Sequence, residues 1–551
     1  MGSRSLSSEF QGELTTKDFD QIFILIIEAQ YARIVECERK CQWLEQSRAP
    51  STVHLPSDRW WGLITLHLNL LHEHEQFFVM CQHPSVSLDV KNVPEKYEMS
   101  DRMWRYGIYS LLNILRQSLP GSLKYMLCFI ETVSSILKRL ILSNSELGDS
   151  LFEQLGDVAR YGMFAEKLNR EYWNVISRCW YQKAADRNPD SGRIQHHLGV
   201  LSQPDPLQTL FFLTKALISA QPFPGSRVTV GRFFNDWPNL ALQENSMATY
   251  FIAAHYVLLR GDSTGRFMTF INGFLSLLPS YMEHHGHQGQ HTVYVMSCNF
   301  ASVFGYHNPA FMAVGSSQSQ SGHTPQTNEL GPANQKQACV SNCSINQPAY
   351  PTKQALQGVH LTFRTLSVLL QYSNGHNSVP AIHISLAFLW GLTCHHPFME
   401  SLEARVPWRA ITRFLNSLIT PNDDFPKIED ASFPAADDGA ALQLPEDFLI
   451  RGQTWSQLYY PKGFFNGSGD SISIEVDSEV KIRRYRCLWL GVQLAMVGFH
   501  DLNCIYFTAT DEMVLMNYIV RSLDLLHSYK GIQLHLLVDM LADSHSYYKA
   551  P

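Results

Sequence analysis

Four basic residues stand close together on one predicted helix in the C-terminal third of the chain: Lys481, Arg483, Arg484 and Arg486. Lysine and arginine donate hydrogen bonds to phosphate oxygens, so the cluster predicts a contact with RNA or another phosphate group. The alternative is a solvated face of a surface helix. Tyr485 is the one aromatic residue interleaved with the cluster, which favours the solvated face because single-stranded nucleic acid stacks on several rings.

The sequence lacks the short motifs that mark common active sites. It contains no GxxxxGK motif followed by Ser or Thr, no GxSxG and no HExxH. These motifs bind nucleotide phosphates, present a nucleophilic serine and hold catalytic zinc, respectively. We therefore predict a protein that is not an enzyme and that needs no cofactor.

Cysteine and histidine do not form a metal site in the sequence. The chain has 11 cysteines, scattered mostly through apolar segments. The pairs Cys37–Cys41 and Cys339–Cys343 each lack the second Cys or His pair that a zinc site requires. The histidine-rich stretch 284–291 has a metal tract as one interpretation and a polar loop as the favoured one. We predict no metal, and reduced thiols in a nuclear and cytoplasmic protein.

Composition limits the classes of partner. The chain has 551 residues, 45% of them hydrophobic, and a net charge of −7. A negative chain has no overall basic field to hold nucleic acid, so any such contact must be local. No signal peptide is expected at the N-terminus, and the apolar runs stop short of the roughly 20 residues that span a bilayer. We expect a soluble protein with no membrane partner.

Hydrophobic periodicity predicts helices almost throughout the chain, and no α/β alternation occurs. Residues 279–355 are rich in Ser, Gln and Asn, which predicts a largely disordered insertion, with the disorder at about 305–352 and a short ordered insert at 293–304 as one interpretation. Residues 422–447 carry eight acidic residues against one Lys, which predicts a loop that is either solvated or docked on a basic partner. Residues 471–478 alternate weakly, as a strand does.

A helical repeat is indicated around residue 180. With Pro189 at the repeat's end, Ser177, Tyr181 and Ala184 occupy the small, aromatic and small positions of a tetratricopeptide-type second helix. Small residues let two helices approach closely, and the aromatic ring fills the gap between them. The first helix of this repeat would carry Phe164, Ala165 and Leu168, and a degenerate second copy would carry Leu198, Gly199, Thr209, Leu213, Ala216 and Pro222.

Several segments resemble the Smg/Est family of nonsense-mediated mRNA decay and telomerase-associated proteins, in its filamentous-fungal branch. The resemblance covers roughly residues 17–495. The segments nearest the repeat are LGDVARYG (155–162), WYQKAADRNPDSGRIQHHLGVL (180–201) and TKALISAQPFPGSR (214–227). The others are LLHEHEQFFVMCQHPS (70–85), MWRYGIYSLLNILRQSLP (103–120), HISLAFLW (383–390) and RCLWLGVQLA (486–495).

The resemblance implies an all-α fold: a 14-3-3-like helical bundle followed by a tetratricopeptide-type α-solenoid and C-terminal helices. Some relatives add a PIN nuclease domain, but only 56 residues follow Ala495 here, so we expect none. The predicted organisation is a disordered N-terminus (1–16), the bundle (17–165), tetratricopeptide-type helices (166–278), the insertion (279–355), a C-terminal helical region (356–495) and a divergent tail (496–551).

The resemblance also implies a phosphopeptide-binding site. In the 14-3-3 fold an Arg-Tyr pair, here Arg160 and Tyr161, holds a phosphoserine with help from a facing basic residue. The alternative is that Arg160 pairs with Asp157 while Tyr161 packs in the core. Relatives have His-Arg where this chain has His67-Leu68. This leaves His67, or a neighbour, as the facing group; the neighbouring arginines are Arg59, Arg102 and Arg105.

The resulting hypothesis is a non-catalytic adaptor of nonsense-mediated mRNA decay. By similarity it would bind a phosphorylated Upf-type RNA helicase and recruit decay or phosphatase factors. The alternative is a telomerase-associated subunit that binds telomeric single-stranded DNA or telomerase RNA. The low overall charge favours the adaptor, because a telomeric binder needs a continuous basic, aromatic-lined groove.

Overall fold

A computed structural model describes residues 16–46, 56–84, 86–143, 148–261, 264–284, 289–307, 352–373, 377–393, 396–421, 423, 425–434, 442–465 and 476–500. The fold is all-α: in these ranges the only β pairing is the isolated bridge between Ser219 and Gln453. The chain divides into two compact units, Met1–Gln203 and Pro204–Pro551. The boundary of 165 that we predicted for the bundle falls inside the first unit.

The helices of the first unit follow the predicted periodicity. Their bounds are α1 Thr16–Gln46, α2 Ser57–Cys81, α3 Leu88–Lys91, α4 Val93–Lys96, α5 Met99–Arg102, α6 Ser110–Gln117, α7 Leu123–Ser143, α8 Gly148–Ala165, α9 Arg170–Arg187 and α10 Gly192–Leu201. A π-helical stretch, Met103–Tyr109, joins α5 to α6.

Helix α2 is a central element of this unit and packs against α1, α7 and the π-helical stretch. Leu70, Leu71 and Phe77 on α2 are completely buried. Gly107 in the π-helical stretch lies so close to α2 that a Cβ atom there would stand 2.8 Å from Leu71. A glycine at this position therefore allows the two helices to approach.

Gly156 on α8 packs against the small and aromatic residues that we predicted on α9. A Cβ at Gly156 would stand 2.8 Å from the Tyr181 ring, and Ser177 Oγ donates a 2.9 Å hydrogen bond to the Gly156 carbonyl. Close packing of two helices needs small residues where an aromatic ring is inserted. Two residues that we predicted for the first helix of the repeat are not buried: Phe164 is 48% exposed and Leu168 is fully exposed.

The second unit holds the remaining helices. Their bounds are α11 Pro206–Ile218, α12 Gly225–Phe234, α13 Trp237–Gln243, α14 Met247–Arg260, α15 Thr264–His284, α16 Gly289–Val303, α17 Lys353–Gln371, α18 Val379–Thr393, α19 His396–Leu402, α20 Trp408–Leu418, α21 Phe425–Glu429, α22 Pro445–Ile450 and α23 Val476–His500.

Helix α16 lies at the segment 293–304 that the sequence suggested as a short ordered insert, and it begins at Gly289. Every residue from Thr292 to Val303 is buried, and the Phe300 ring stacks on Phe388 of α18 at 4.1 Å. Because these residues are buried, 289–303 belongs to the core of the second unit. The boundary of 279 that we predicted for the insertion is therefore too early.

Other sequence predictions fall outside the described residues. These are the N-terminus through residue 15, the insertion between 308 and 351, most of the strand-like stretch 471–478, and the tail from 501. No helix among the described residues is both long enough and apolar enough to cross a membrane.

Candidate phosphate-binding site and the C-terminal arginine cluster

Arg160 lies on the C-terminal half of α8, with its side chain 29% exposed. Its Nη1 faces Asp157 Oδ1 at 3.4 Å and His197 Nδ1 at 3.0 Å. Neither Nε nor Nη2 makes a hydrogen bond of normal geometry to a described residue, although the Tyr181 hydroxyl lies beside the guanidinium. Arg160 therefore has Nη1 held by Asp157 and His197, a further interaction with the Tyr181 hydroxyl, and donors left for another acceptor.

A buried polar layer lies behind Arg160. The Tyr181 hydroxyl donates to Asp157 Oδ1 at 2.6 Å, and the Tyr181 ring stacks on His197 at 4.9 Å. His197 Nε2 stands 3.8 Å from Glu153 Oε1, and Arg193 Nη2 stands 2.8 Å from Glu153 Oε2. These groups come from α8, α9 and α10, so three helices fix the position of the guanidinium.

Burial favours the neutral forms of the carboxyl and imidazole groups in this layer. Desolvation raises the pKa of Asp157 and raises the pKa of Glu153 to about 7. Desolvation, with Arg160 second, lowers the pKa of His196 to about 4 and the pKa of His197 well below its usual value. His197 is therefore neutral near pH 7 and its Nδ1 accepts the hydrogen bond from Arg160. The permanent charge of Arg160 is left facing carboxylates that burial makes harder to ionise.

Tyr161 is half-buried on the adjacent face of α8. Its hydroxyl makes no hydrogen bond to a described residue, and its ring meets the Phe164 ring edge-on at 6.5 Å. The Arg116 guanidinium, from the last turn of α6, lies 6.0 Å from the Tyr161 ring centroid and 5.3 Å from that of Phe164. The alternative that we weighed is present in part, because Tyr161 packs against the core of the first unit and Arg160 pairs with Asp157.

His67 belongs to the packing of the bundle. It is 2% exposed, and its Nδ1 bonds to the Gly107 carbonyl at 3.0 Å. Burial lowers its pKa to about 4, so the ring carries no charge that a phosphate would require. We therefore withdraw His67 from the predicted phosphate site.

The arginines that we considered in place of His67 differ in what they contact. Arg102 pairs with Glu38 at 2.6 Å and donates to the Tyr31 hydroxyl at 2.9 Å. Arg59 and Arg105 are exposed, and Arg105 lies 5.8 Å from the Tyr106 ring centroid. The basic residue that meets Tyr161 is Arg116, which sequence reasoning missed. The sequence places Arg116 on the polar side of an amphipathic helix, which does not indicate which aromatic ring its side chain would contact.

The C-terminal arginine cluster is internal. Arg483 makes a two-point contact with Glu446, at 2.6 and 2.9 Å, and His383 Nδ1 bonds to the same carboxylate at 2.9 Å. Arg486 Nη1 stands 2.6 Å from Asp447 Oδ2, and neither of these side chains is exposed. These cations are therefore paired inside the unit and do not face a nucleic acid.

The other two cations of the cluster are Arg484 and Lys481. Arg484 pairs with Asp423 and donates to the Leu418 carbonyl at 2.6 Å, whereas Lys481 is exposed. Asp423, Glu446 and Asp447 all belong to the acidic stretch 422–447. The three arginines therefore form neither a nucleic-acid surface nor a solvated face. The three acids are not solvated either, because the two charged stretches pair with each other.

Metal-binding side chains do not converge in the part of the chain that the structure describes. No group of three or more His, Cys, Asp or Glu residues there is arranged to hold an ion. Glu153 and His197 approach each other within the layer behind Arg160, but the partners of Glu153 include Arg193, a cation.

No protein-family model matches the chain, and no curated protein matches its sequence. Among solved structures the chain is similar to one in the structure of the C. elegans SMG5-SMG7 complex. The two share 10% sequence identity with a TM-score of 0.43, and the match covers 84% of this chain and 99% of the other.

Proposed function

We propose that this protein is a non-catalytic adaptor that binds a phosphorylated segment of a partner protein through Arg160 and Tyr161. One observation carries the proposal: Arg160 Nε and Nη2 and the Tyr161 hydroxyl lack hydrogen bonds of normal geometry to described residues, on adjacent positions of α8. An arginine fork and a hydroxyl supply the charge-assisted and neutral donors that phosphate oxygens accept.

The surroundings of Arg160 favour a bound phosphate over a loose surface contact. Asp157 and His197 hold Nη1, so less side-chain freedom is lost when the remaining donors engage a ligand. The same layer is largely buried, which lowers the local dielectric and strengthens an ion pair with a phosphate. Asp157 opposes the ligand by like charge, but desolvation raises its pKa and so weakens this opposition.

The family resemblance in the sequence gives this proposal its specific partners. We propose a phosphorylated Upf-type RNA helicase as the ligand and decay or phosphatase factors as the recruited proteins, in the nucleus and cytoplasm. The telomerase alternative needs a basic, aromatic-lined groove. Because Arg483, Arg484 and Arg486 are already paired with acidic residues, the cluster that the sequence offered for such a groove does not support it.

The test is a titration of phosphoserine peptides from a Upf-type helicase, each with its unphosphorylated counterpart, against the full chain. Arg160→Glu should weaken phosphopeptide binding by about 2 kcal/mol, roughly thirtyfold, because it removes donors and adds like charge. Tyr161→Phe should cost about 1 kcal/mol, the worth of one hydrogen bond.

Arg187→Glu is the matched control, because Arg187 is an exposed arginine that pairs with Asp149 at 2.8 Å near the other end of α8. This variant should bind as the wild type does. Equal affinity of the wild type for phosphorylated and unphosphorylated peptides would overturn the proposed function. A melting curve on each variant separates loss of binding from loss of folding.

A further inference from the structure

The further inference rests on the proposed function and concerns the second cation of the same site. We infer that Arg116 on α6 is the facing phosphate ligand, so that a phosphoserine binds between Arg116 and Arg160 next to the Tyr161 hydroxyl. Nothing in the sequence motifs marks Arg116 for this role, which the family resemblance placed at the His67-Leu68 position instead.

The first support is the state of the Arg116 side chain. It is exposed and makes no ion pair with a described carboxylate. Its guanidinium lies 6.0 Å from the Tyr161 ring centroid and 5.3 Å from that of Phe164. Contact with two rings limits the freedom of the charge while the N–H donors stay available for phosphate oxygens, because aromatic faces do not use them as a carboxylate would.

The second support is that two cations act electrostatically on one hydroxyl. Desolvation and then Tyr109 raise the pKa of Tyr161, to about 12, and Asp157 raises it too, whereas Arg116 and Arg160 both lower it. The geometry agrees, because Arg116 lies 6.0 Å from the Tyr161 ring centroid and Arg160 is the neighbouring residue on α8. Two arginines from different helices within electrostatic reach of one hydroxyl form a set of donors that a doubly charged phosphate can bridge.

The third support is a comparison with the other arginines of the first unit. Several of these already have a carboxylate within 4 Å: Arg102 with Glu38, Arg139 with Glu75, Arg187 with Asp149 and Arg193 with Glu153. Arg116 has none among the described residues, and neither has Arg105 on the same continuous helix. Arg105 lies on the Tyr106 ring at 5.8 Å, eleven residues and roughly 15 Å along the helix from Arg116.

Arg105 therefore supplies a matched control for the test. Arg116→Gln and Arg105→Gln are compared with the wild type in titrations of the full chain with a Upf-type phosphoserine peptide. Arg116→Gln should weaken binding about tenfold and Arg105→Gln less than twofold, because only Arg116 reaches the site. Arg116→Lys, which keeps the charge but not the fork, should lie between Arg116→Gln and the wild type.

Three further measurements separate the possible outcomes. The unphosphorylated peptide should bind all variants equally weakly, and inorganic phosphate should compete only at far higher concentration than the peptide. If Arg116→Gln binds as Arg105→Gln does, while Arg160→Glu still loses affinity, the inference on Arg116 is overturned and the proposed function stands. If a single-stranded RNA binds through Arg116 and the phosphopeptide does not bind, both are overturned.

Discussion

Two groups of arginines in this protein have opposite relations to their surroundings. Arg160 is 29% exposed and stands 3.4 Å from Asp157, whereas Arg486 is fully buried and stands 2.6 Å from Asp447. Both belong to short motifs for which a phosphate contact was one interpretation of the sequence. The comparison shows that a basic motif can have its donors used within the protein, so that they are not available to a ligand.

The closed cluster is balanced in charge, although Arg486 Nε is buried without a hydrogen-bond partner. The acids at the start of α22, Glu446 and Asp447, meet Arg483 and Arg486 of α23 one to one. Asp447 also accepts from the Leu444 backbone N–H at 2.7 Å and from the Tyr460 hydroxyl at 3.1 Å. Removing one partner of a buried ion pair leaves an uncompensated buried charge, so this cluster has a structural role.

The layer behind Arg160 also holds buried polar atoms without partners. Glu153 Oε1 in this layer is buried without a hydrogen-bond partner, as are Gln154 Oε1 on α8 and Gln195 Oε1 on α10. Such atoms are rare in folded proteins. Orphaned buried atoms therefore occur in both regions, and the difference between the two arginines lies in exposure: the Arg160 side chain is 29% exposed, whereas that of Arg486 is fully buried.

The largest expected effect comes from breaking the closed cluster. Arg486→Met leaves Asp447 charged and buried without its cation, and should lower the free energy of unfolding of the second unit by about 3 to 5 kcal/mol. Chemical denaturation, followed by far-UV circular dichroism, measures the change. The double variant Arg486→Met, Asp447→Leu should lose less than the sum of the two single variants. A loss below about 1 kcal/mol for Arg486→Met would show that the pair is not structural.

The next effect is a pH dependence of opposite sign in the two clusters. Glu153 has its pKa raised from 4.5 to about 7, first by desolvation, so the folded state holds a proton that the unfolded state releases. Its contribution is fully present below pH 4.5 and is lost as pH rises toward 7, by at most about 3 kcal/mol. Glu446 has its pKa lowered by Arg483 and His383 against desolvation, so its contribution is lost only as pH falls below 4.5.

The substitution Glu153→Gln tests the sign of the pH dependence that we predict for Glu153. Glutamine resembles the protonated acid, so the variant and the wild type should melt at similar temperatures at pH 5. At pH 8 the variant should be more stable, because the wild type then buries a charged carboxylate beside Asp157 and Asp101. Melting curves between pH 5 and pH 8 give the comparison. A variant that is less stable at pH 8 would show that the Glu153–Arg193 pair outweighs burial.

The smallest expected effect is that of Arg160→Met on folding. Its contact with Asp157 is long and partly exposed, and it has one further hydrogen bond, to His197 at 3.0 Å, so its loss should change the free energy of unfolding by no more than about 2 kcal/mol. Asp157 keeps its 2.6 Å hydrogen bond from Tyr181 in this variant. The same denaturation assay as for Arg486→Met gives a direct contrast. Equal losses at the two positions would place Arg160 among the structural arginines.

The sequence by itself determined the class of the fold and one of its close helix contacts. Apolar residues that recur with the period of an α-helix predicted helices, and the described secondary structure is helical. Ser177, Tyr181 and Ala184 on α9 are buried, as their sizes and spacing predicted. Such properties follow from the sequence because helical periodicity and side-chain volume act between residues that are near one another in the chain.

Only the tertiary structure decided which charged and polar groups meet. The acids of 422–447 and the arginines of 483–486 are far apart in sequence, and each stretch alone resembles a solvated or partner-binding segment. His67 became a buried hydrogen-bonding group, and Arg116 came to face Tyr161, which lies 45 residues further along the chain. The physical reason is that an ion pair or a phosphate site depends on distances through space, which the packing of the helices sets.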